Sequence, residues 1–251
     1  MLMSVIDNSL TTARYGELAG ARVMISGLSP SAGVDIARAF ADHKARLVVQ
    51  TTSAAEPETT ALVAMLAETA LEVAVFDAPL GTVDEARRLA QAASETFGGL
   101  DAAINIATVN TAELANLGSI EEIEAFAARK LGPLLEATRI VSNRMRVMMS
   151  EGLILNVVML NGPVSSGSSL IAGYLRSALG AMTKLEAEAA APYGIRVNAI
   201  GPRASLPGER PSVALASEPE MAAVALYLAS KRARKLSGHM FDAEGALTIC
   251  D

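Results

Sequence analysis

The sequence contains one cysteine, Cys250, and two histidines, His43 and His239. A lone thiol cannot close an internal disulfide. Neither it nor the two imidazoles supply the ligand spacing of a metal site, so no bound metal is expected. Long apolar runs are missing as well: no stretch reaches the roughly eighteen consecutive apolar residues of a membrane span. The first residues carry no basic segment followed by the apolar stretch of a signal peptide. These absences give the expectation of a cytoplasmic protein without membrane contact. Positive charge is in deficit, with 21 Lys and Arg against 27 Asp and Glu and a net charge of -6, which argues against a nucleic-acid surface. The basic concentration at Lys231, Arg232, Arg234 and Lys235 is short and reads as solvated loop charge.

What the chain has in quantity is apolar residues. Its 251 residues are 51% hydrophobic and 19% charged, with mean hydropathy +0.34. This is the composition of a globule that hides much apolar surface, with burial extending into subunit contacts. Strands are expected at 22–26, 46–51, 72–76, 102–106, 153–158, 196–200 and 240–243. Helices are expected after the turn Gly27 to Gly33 as far as Ala41, and at 59–69, 83–97, 120–149 with an interruption near Gly132-Pro133, 170–191 and 219–229. Strands that are apolar throughout and separated by helices mean a parallel sheet covered on both faces, because each parallel crossover needs a helix. The reading is an α/β fold, a three-layer doubly wound parallel sheet in a single domain over residues 1–251. Residues 1–17 read as an N-terminal arm.

Several segments stand in a characteristic order. Ile25-Ser-Gly-Leu-Ser-Pro-Ser-Ala-Gly33 follows the first strand and Phe76-Asp77 ends the third. Leu100-Asp-Ala-Ala-Ile-Asn-Ile-Ala107 and Ile154-Leu-Asn156 lie on the next two, and Tyr193-Gly-Ile-Arg-Val-Asn-Ala-Ile-Gly-Pro202 is the most specific segment. Leu228-Ala-Ser230, Ser237-Gly238 and Asp242-Ala-Glu-Gly245 complete the order. In this order and spacing the chain resembles the short-chain dehydrogenase/reductase family from Leu18 to Leu247. The resemblance implies a Rossmann-like fold, NAD or NADP as cofactor, and reduction of a carbonyl by hydride.

In that family the first turn is a Thr-Gly-x-x-x-Gly-x-Gly loop, whose glycines let the backbone approach a diphosphate at a helix N-terminus. Here Gly27 and Gly33 match the outer glycines, while Ser31 stands at the middle position, where a side chain obstructs close approach. The same residues also serve as a plain strand-to-helix turn. The second strand ends in Gln50, Thr51, Thr52 and Ser53. It has neither an acid for the ribose diol of NAD nor basic groups for the extra phosphate of NADP. By the resemblance, Asp77 bonds the adenine amino group, Asn105 braces the central strand near the adenosine, and Arg176 keeps a charge for ribose hydroxyls. The implied cofactor-binding set is Gly27, Ser29, Ser31, Gly33, Thr51, Asp77, Asn105 and Arg176. NAD or NADP is expected to bind weakly or not at all.

The family's catalytic tetrad is Asn, Ser, Tyr and Lys, with the Tyr phenol as proton donor. Ungapped counting places these four roles on Arg129, Met159, Ala172 and Arg176. Alanine donates no proton, methionine cannot donate a hydrogen bond, and a guanidinium titrates too high to exchange protons. Tyr174 lies two residues beyond Ala172, about 200° around a helix, so it should point elsewhere. The segment over residues 203–218 reads as a substrate loop cut to roughly half the family's usual length. The helix at 170–191 carries small residues, and in the family this helix and the long one before it form a four-helix subunit contact.

Three functions stay open. The first is a binding, regulatory or structural subunit without ordinary reductase activity, in a homo-oligomer (dimer or tetramer) or paired with an active relative. The second is an NAD(P)-dependent oxidoreductase with an atypical active site, its proton drawn from water or a hydroxyl between Ser165 and Ser169. The third is a cofactor-independent enzyme in which Arg129 and Arg176 converge on a small anionic ligand.

Overall fold

The computed structural model describes residues 15–162, 166–202 and 218–242. Its strands are β1 (Arg22–Ser26), β2 (Arg46–Thr51), β3 (Glu72–Asp77), β4 (Ala102–Asn110), β5 (Gly152–Asn161), β6 (Ile195–Gly201) and β7 (Met240–Asp242). They form one sheet in the order β3-β2-β1-β4-β5-β6-β7, and every neighbouring pair is parallel. The helices are α1 (Val34–Asp42), α2 (Pro57–Thr69), α3 (Val83–Thr96), α4 (Thr111–Ala115), α5 (Ile120–Val147), α6 (Ser166–Ala190) and α7 (Glu218–Ala229). The expected three-layer, doubly wound, single-domain α/β fold is what the chain adopts.

The period-two alternation of strand side chains explains the layers. Val23, Ile25, Leu47 and Val49 point to one face, where α1, α2 and α7 bring Phe40, Leu66 and Leu226 onto them. Met24 and Val48 point to the other, against Leu89 of α3 and Val141 and Met145 of α5. Toward the C-terminal ends of β4 and β5, Val109 and Val158 join Phe126 of α5 and Leu175 of α6 in a third cluster. The winding reverses between β1 and β4, and a crevice opens at such a reversal.

Local chemistry starts the helices where the sequence suggests. Thr82 and Glu85 form a reciprocal capping box on α3, and Ser119 and Glu122 do the same for α5. The expected interruption near Gly132-Pro133 does not end the helix: α5 runs through it with Pro133 inside. Pro133 has no N–H, so the carbonyl of Arg129 loses its helical donor. β4 continues four residues past its expected end at Ile106, because β5 extends beside it and supplies register partners as far as Asn110↔Asn161. At the other end of the chain, the last part of the expected arm is packed. Tyr15 and Leu18 are buried, and the Tyr15 ring meets that of His43 edge-on at 5.7 Å. Residues 1–14, the expected shortened loop before Glu218, Ser165 and the segment after Asp242 lie outside the described residues.

Candidate functional site

The first βα turn is held by two glycines that have no substitute. Gly27 has φ +78°, and a Cβ there would run into the carbonyl of Ile106. Gly33 has φ +86°, and its Cβ would lie 2.6 Å from Ile106 Cδ1. Both torsions fall in the left-handed region that disfavours any side chain. Between them Ser29-Pro30-Ser31-Ala32 closes on itself, with Ser29 N donating to Ala32 O at 3.0 Å and Ala32 N to Ser29 O at 3.1 Å. Proline at the second position suits such a turn. Ser31 is exposed at its tip, its hydroxyl 3.2 Å from that of Ser29.

Gln50, at the end of β2, ties this turn to the sheet. Its Oε1 accepts from Gly27 N at 2.7 Å and its Nε2 donates to Ala78 O at 2.7 Å. A second polar system crosses the sheet along one register row, Ser26↔Asn105↔Asn156. Ser26 Oγ donates to Asn105 Oδ1 at 3.0 Å, Asn105 Nδ2 to Asn156 Oδ1 at 3.0 Å, and Asn156 Nδ2 to Thr138 Oγ1 at 2.9 Å. All four residues are buried, so the row satisfies its own polar groups and fixes the strand ends that face the crevice.

Above these ends lies a cavity of about 500 Å³. Its floor is Ser26, Gly27 and Asn105 to Thr108. Gln50 and Thr52 close one end, and Arg129 and Lys130 stand on the α5 wall beside Gly132 and Pro133. Of the residues implied for cofactor binding, Gly27 and Asn105 line it, whereas Ser29, Ser31, Gly33, Thr51, Asp77 and Arg176 do not. Thr51 is buried. Asp77 is exposed, its Oδ1 accepting from Ala54 N at 3.4 Å.

Of the four positions that counting gives to the tetrad, Arg129 lines the cavity, and Met159, Ala172 and Arg176 are not among its lining residues. Ala172 is 1% exposed, packed in the third apolar cluster. Met159 pairs with Thr108 in the sheet and packs against the first cluster. Tyr174 is 45% exposed and so does not share the buried face of Ala172. Arg129 lines the cavity with its guanidinium 5.1 Å from the centre of the Phe126 ring, and Arg176 is not among the lining residues. The two guanidinium groups therefore do not meet in this cavity.

A charged group that sequence reasoning missed sits at the β4 end. Lys130 Nζ pairs with Glu113 Oε2 at 2.8 Å and donates to Thr108 O at 3.4 Å. The Lys130 ammonium holds the Glu113 carboxyl below its ordinary range, against the opposing effect of desolvation. A second missed feature is Glu218, the first residue of α7. Its Oε1 accepts from Asp35 N, in the first turn of α1, at 2.6 Å. Neither pair has a local sequence signal, since the partners are far apart in the chain.

The crevice suits the nucleoside half of a dinucleotide, with Gly27 in its floor and polar residues at its ends. The diphosphate half fits less simply, because the donors of the Ser29–Ala32 turn and of the α1 terminus already have partners. Among the described residues no helix is long and apolar enough to cross a membrane, and no group of three or more His, Cys, Asp or Glu is placed to hold a metal ion.

Comparison with known proteins adds to this geometry. A family model described as enoyl-(acyl carrier protein) reductase matches residues 27–208. The chain is 27% identical to an oxidoreductase of Methylorubrum extorquens, over 92% of this chain and 99% of that protein. It is 29% identical to galactitol 2-dehydrogenase of Agrobacterium fabrum, over 71% of this chain and 68% of that protein. The crystal structure of a short chain dehydrogenase from Mycobacterium smegmatis superposes with a TM-score of 0.74 at 22% identity, covering 92% of this chain and 95% of that one.

Proposed function

Because the chain belongs to the short-chain dehydrogenase/reductase family, we propose that it is an NAD(P)-linked oxidoreductase with an atypical active site. The observation that carries this reading is the cavity at the winding reversal, floored by the ends of β1 and β4 and walled by α5. A fold of this kind binds its ligand at that point. The dehydrogenase relatives favour an oxidoreductase over the non-reductase subunit that the tetrad substitutions alone suggest. When bound, the nicotinamide supplies or receives the hydride. Gly27, Gln50, Thr52 and Asn105 shape the end that takes the nucleoside. Proton delivery falls to Lys130. Its ammonium is a proton-bearing donor, and Glu113 and the Thr108 carbonyl hold it at the cavity wall.

A second reading is favoured by one specific observation: the position of the family phenol is a buried alanine, Ala172. On this reading the protein binds dinucleotide without turnover and acts as a subunit. One experiment separates the two. Purified protein is titrated with NADH and NADPH by calorimetry and assayed for turnover with alcohols, sugar alcohols and ketones. Binding with turnover supports the oxidoreductase; binding with no turnover on any substrate selects the subunit; no binding of either cofactor refutes both.

We also propose that α6 is a contact between copies of this chain. Leu170, Tyr174 and Leu185 are 70%, 45% and 65% exposed and fall within one stripe of the helix, with Ser177 and Ala181 between the last two.

A further inference from the structure

We infer that the substrate carries a carboxylate group and that Arg129 receives it at the wall of the crevice, an inference that rests on the reading of the protein as an oxidoreductase. Positive charge is in surplus around one ring. Phe126 of α5 is 2% exposed, with the Arg129 guanidinium 5.1 Å and the Lys130 ammonium 5.5 Å from its centre. An aromatic ring attracts a cation, but two cations that share a ring repel each other. Glu113 answers one of them: it pairs with Lys130 at 2.8 Å and feels Arg129 only through space. Among the described residues no carboxylate forms an ion pair with Arg129.

Both cations line the cavity, beside the apolar side chains of Leu80, Val83, Ile106 and Leu134. One acid, Glu136, lines it too. It stands two turns beyond Arg129, about 10 Å along the axis of α5, and pairs with Arg139 at 4.0 Å. The wall is therefore positive at the β4 end, where the Lys130 ammonium reaches the Thr108 carbonyl. A small-molecule site orients its ligand by the few polar groups set among apolar ones. The group left without a partner here is a guanidinium, whose planar fork matches the two oxygens of a carboxylate. Arg129 and Lys130 set against Glu113 leave a single positive charge, which suits a carboxylate better than the double charge of a phosphate ester.

The test titrates phenylpyruvate and its uncharged counterpart phenylacetone into native protein, Arg129→Met and Arg129→Lys by calorimetry, with NADH titrated separately into each. Methionine keeps bulk over Phe126 and removes the charge; lysine restores a charge without the fork. Arg129 is exposed, so neither change disturbs the core, and melting curves verify this. The native protein is expected to bind phenylpyruvate about tenfold more tightly than phenylacetone, the scale of one charge-assisted hydrogen-bonded pair. That preference should vanish in Arg129→Met and return in part in Arg129→Lys, with NADH binding unchanged in both. Equal binding of the two ketones by native protein, binding of neither, or a preference that survives in Arg129→Met overturns the inference. So does a loss of NADH binding in Arg129→Met in place of the ketone preference, which assigns the guanidinium to the cofactor. NADH binding by native protein leaves the reading of the crevice standing in each of these cases, and its failure overturns that reading.

Discussion

Gln50 grips Gly27: one end of its amide accepts the glycine N–H at 2.7 Å, and the other donates to the carbonyl of Ala78 at 2.7 Å. A single buried side chain at the end of β2 therefore sets the height of the β1 turn relative to the segment after β3, along the edge where the crevice opens.

Gln50→Leu removes both hydrogen bonds while keeping bulk. A part-buried N–H and a part-buried carbonyl then lose partners, at about 0.5–1.5 kcal/mol each. The expected outcome is a clear fall in urea midpoint, together with weaker NADH binding, both measured on the same preparation. An unchanged midpoint would show that water replaces the amide without loss.

Asn105 carries the middle of the row from Ser26 to Asn156. Asn105→Ala strands the Ser26 hydroxyl and removes one of the two donors to Asn156 Oδ1, which keeps that of Thr138, so destabilisation of about 1–3 kcal/mol is expected. Asn156→Ala should be less than additive with it, because the two share one bond. A double-mutant cycle in urea reads this directly.

The Lys130 assignment separates binding from turnover. Lys130→Met should leave the NADH dissociation constant nearly as it is and lower kcat by about a hundredfold, the usual contribution of a positioned acid. A loss confined to KM would assign Lys130 to holding substrate instead.

Two carboxylates should give opposite pH responses. Burial pushes Asp101 up, but the Arg22 side chain and backbone N–H outweigh it and leave the carboxyl below its ordinary value. The Arg22 Nη2 to Asp101 Oδ1 distance is 2.7 Å. Stability from this pair is present above the unfolded-state pKa, near 4, and is lost as pH falls through the lower folded value. Asp101 is partly exposed, so solvent screening keeps the effect near ~1 kcal/mol. Glu218, raised in the folded state, does the reverse: its contribution falls as pH rises from the unfolded to the folded value. Melting temperatures of native, Asp101→Asn and Glu218→Gln proteins across acidic pH should show the native-minus-Asp101→Asn gap closing with acid. The native-minus-Glu218→Gln gap should widen in favour of the native protein.

Leu185→Arg places a charge in the exposed α6 stripe. The expected outcome is a smaller particle by light scattering after gel filtration, with melting little changed, because Leu185 packs in none of the three apolar clusters. An unaltered particle mass would place any subunit contact on another face.

Much of the fold was legible in the chain because it follows local rules. Leu47, Val48 and Val49, and likewise Ala199 and Ile200, put apolar side chains on both faces in succession, as a doubly covered strand requires. The Thr82 and Ser119 capping boxes mark helix starts within four residues of sequence. The end of β4 was not legible, since Ala107 to Asn110 extend only because β5 lies alongside. The site was less legible still. Resemblance pointed to Gly27 and Asn105, which line the cavity, and to Arg176 and Asp77, which do not, while Lys130, Thr52 and Thr108 line it without having been singled out.

The sequence by itself determined the layered parallel sheet and the alanine at position 172, because side-chain periodicity and residue identity are properties of neighbours in the chain. The tertiary structure decided which groups share the crevice. Gln50 with Gly27, Lys130 with Glu113, and Glu218 with Asp35 are joined by strand register and helix crossings, which no short window of sequence contains. Polar chemistry at a strand end is selected by what the fold carries across to it.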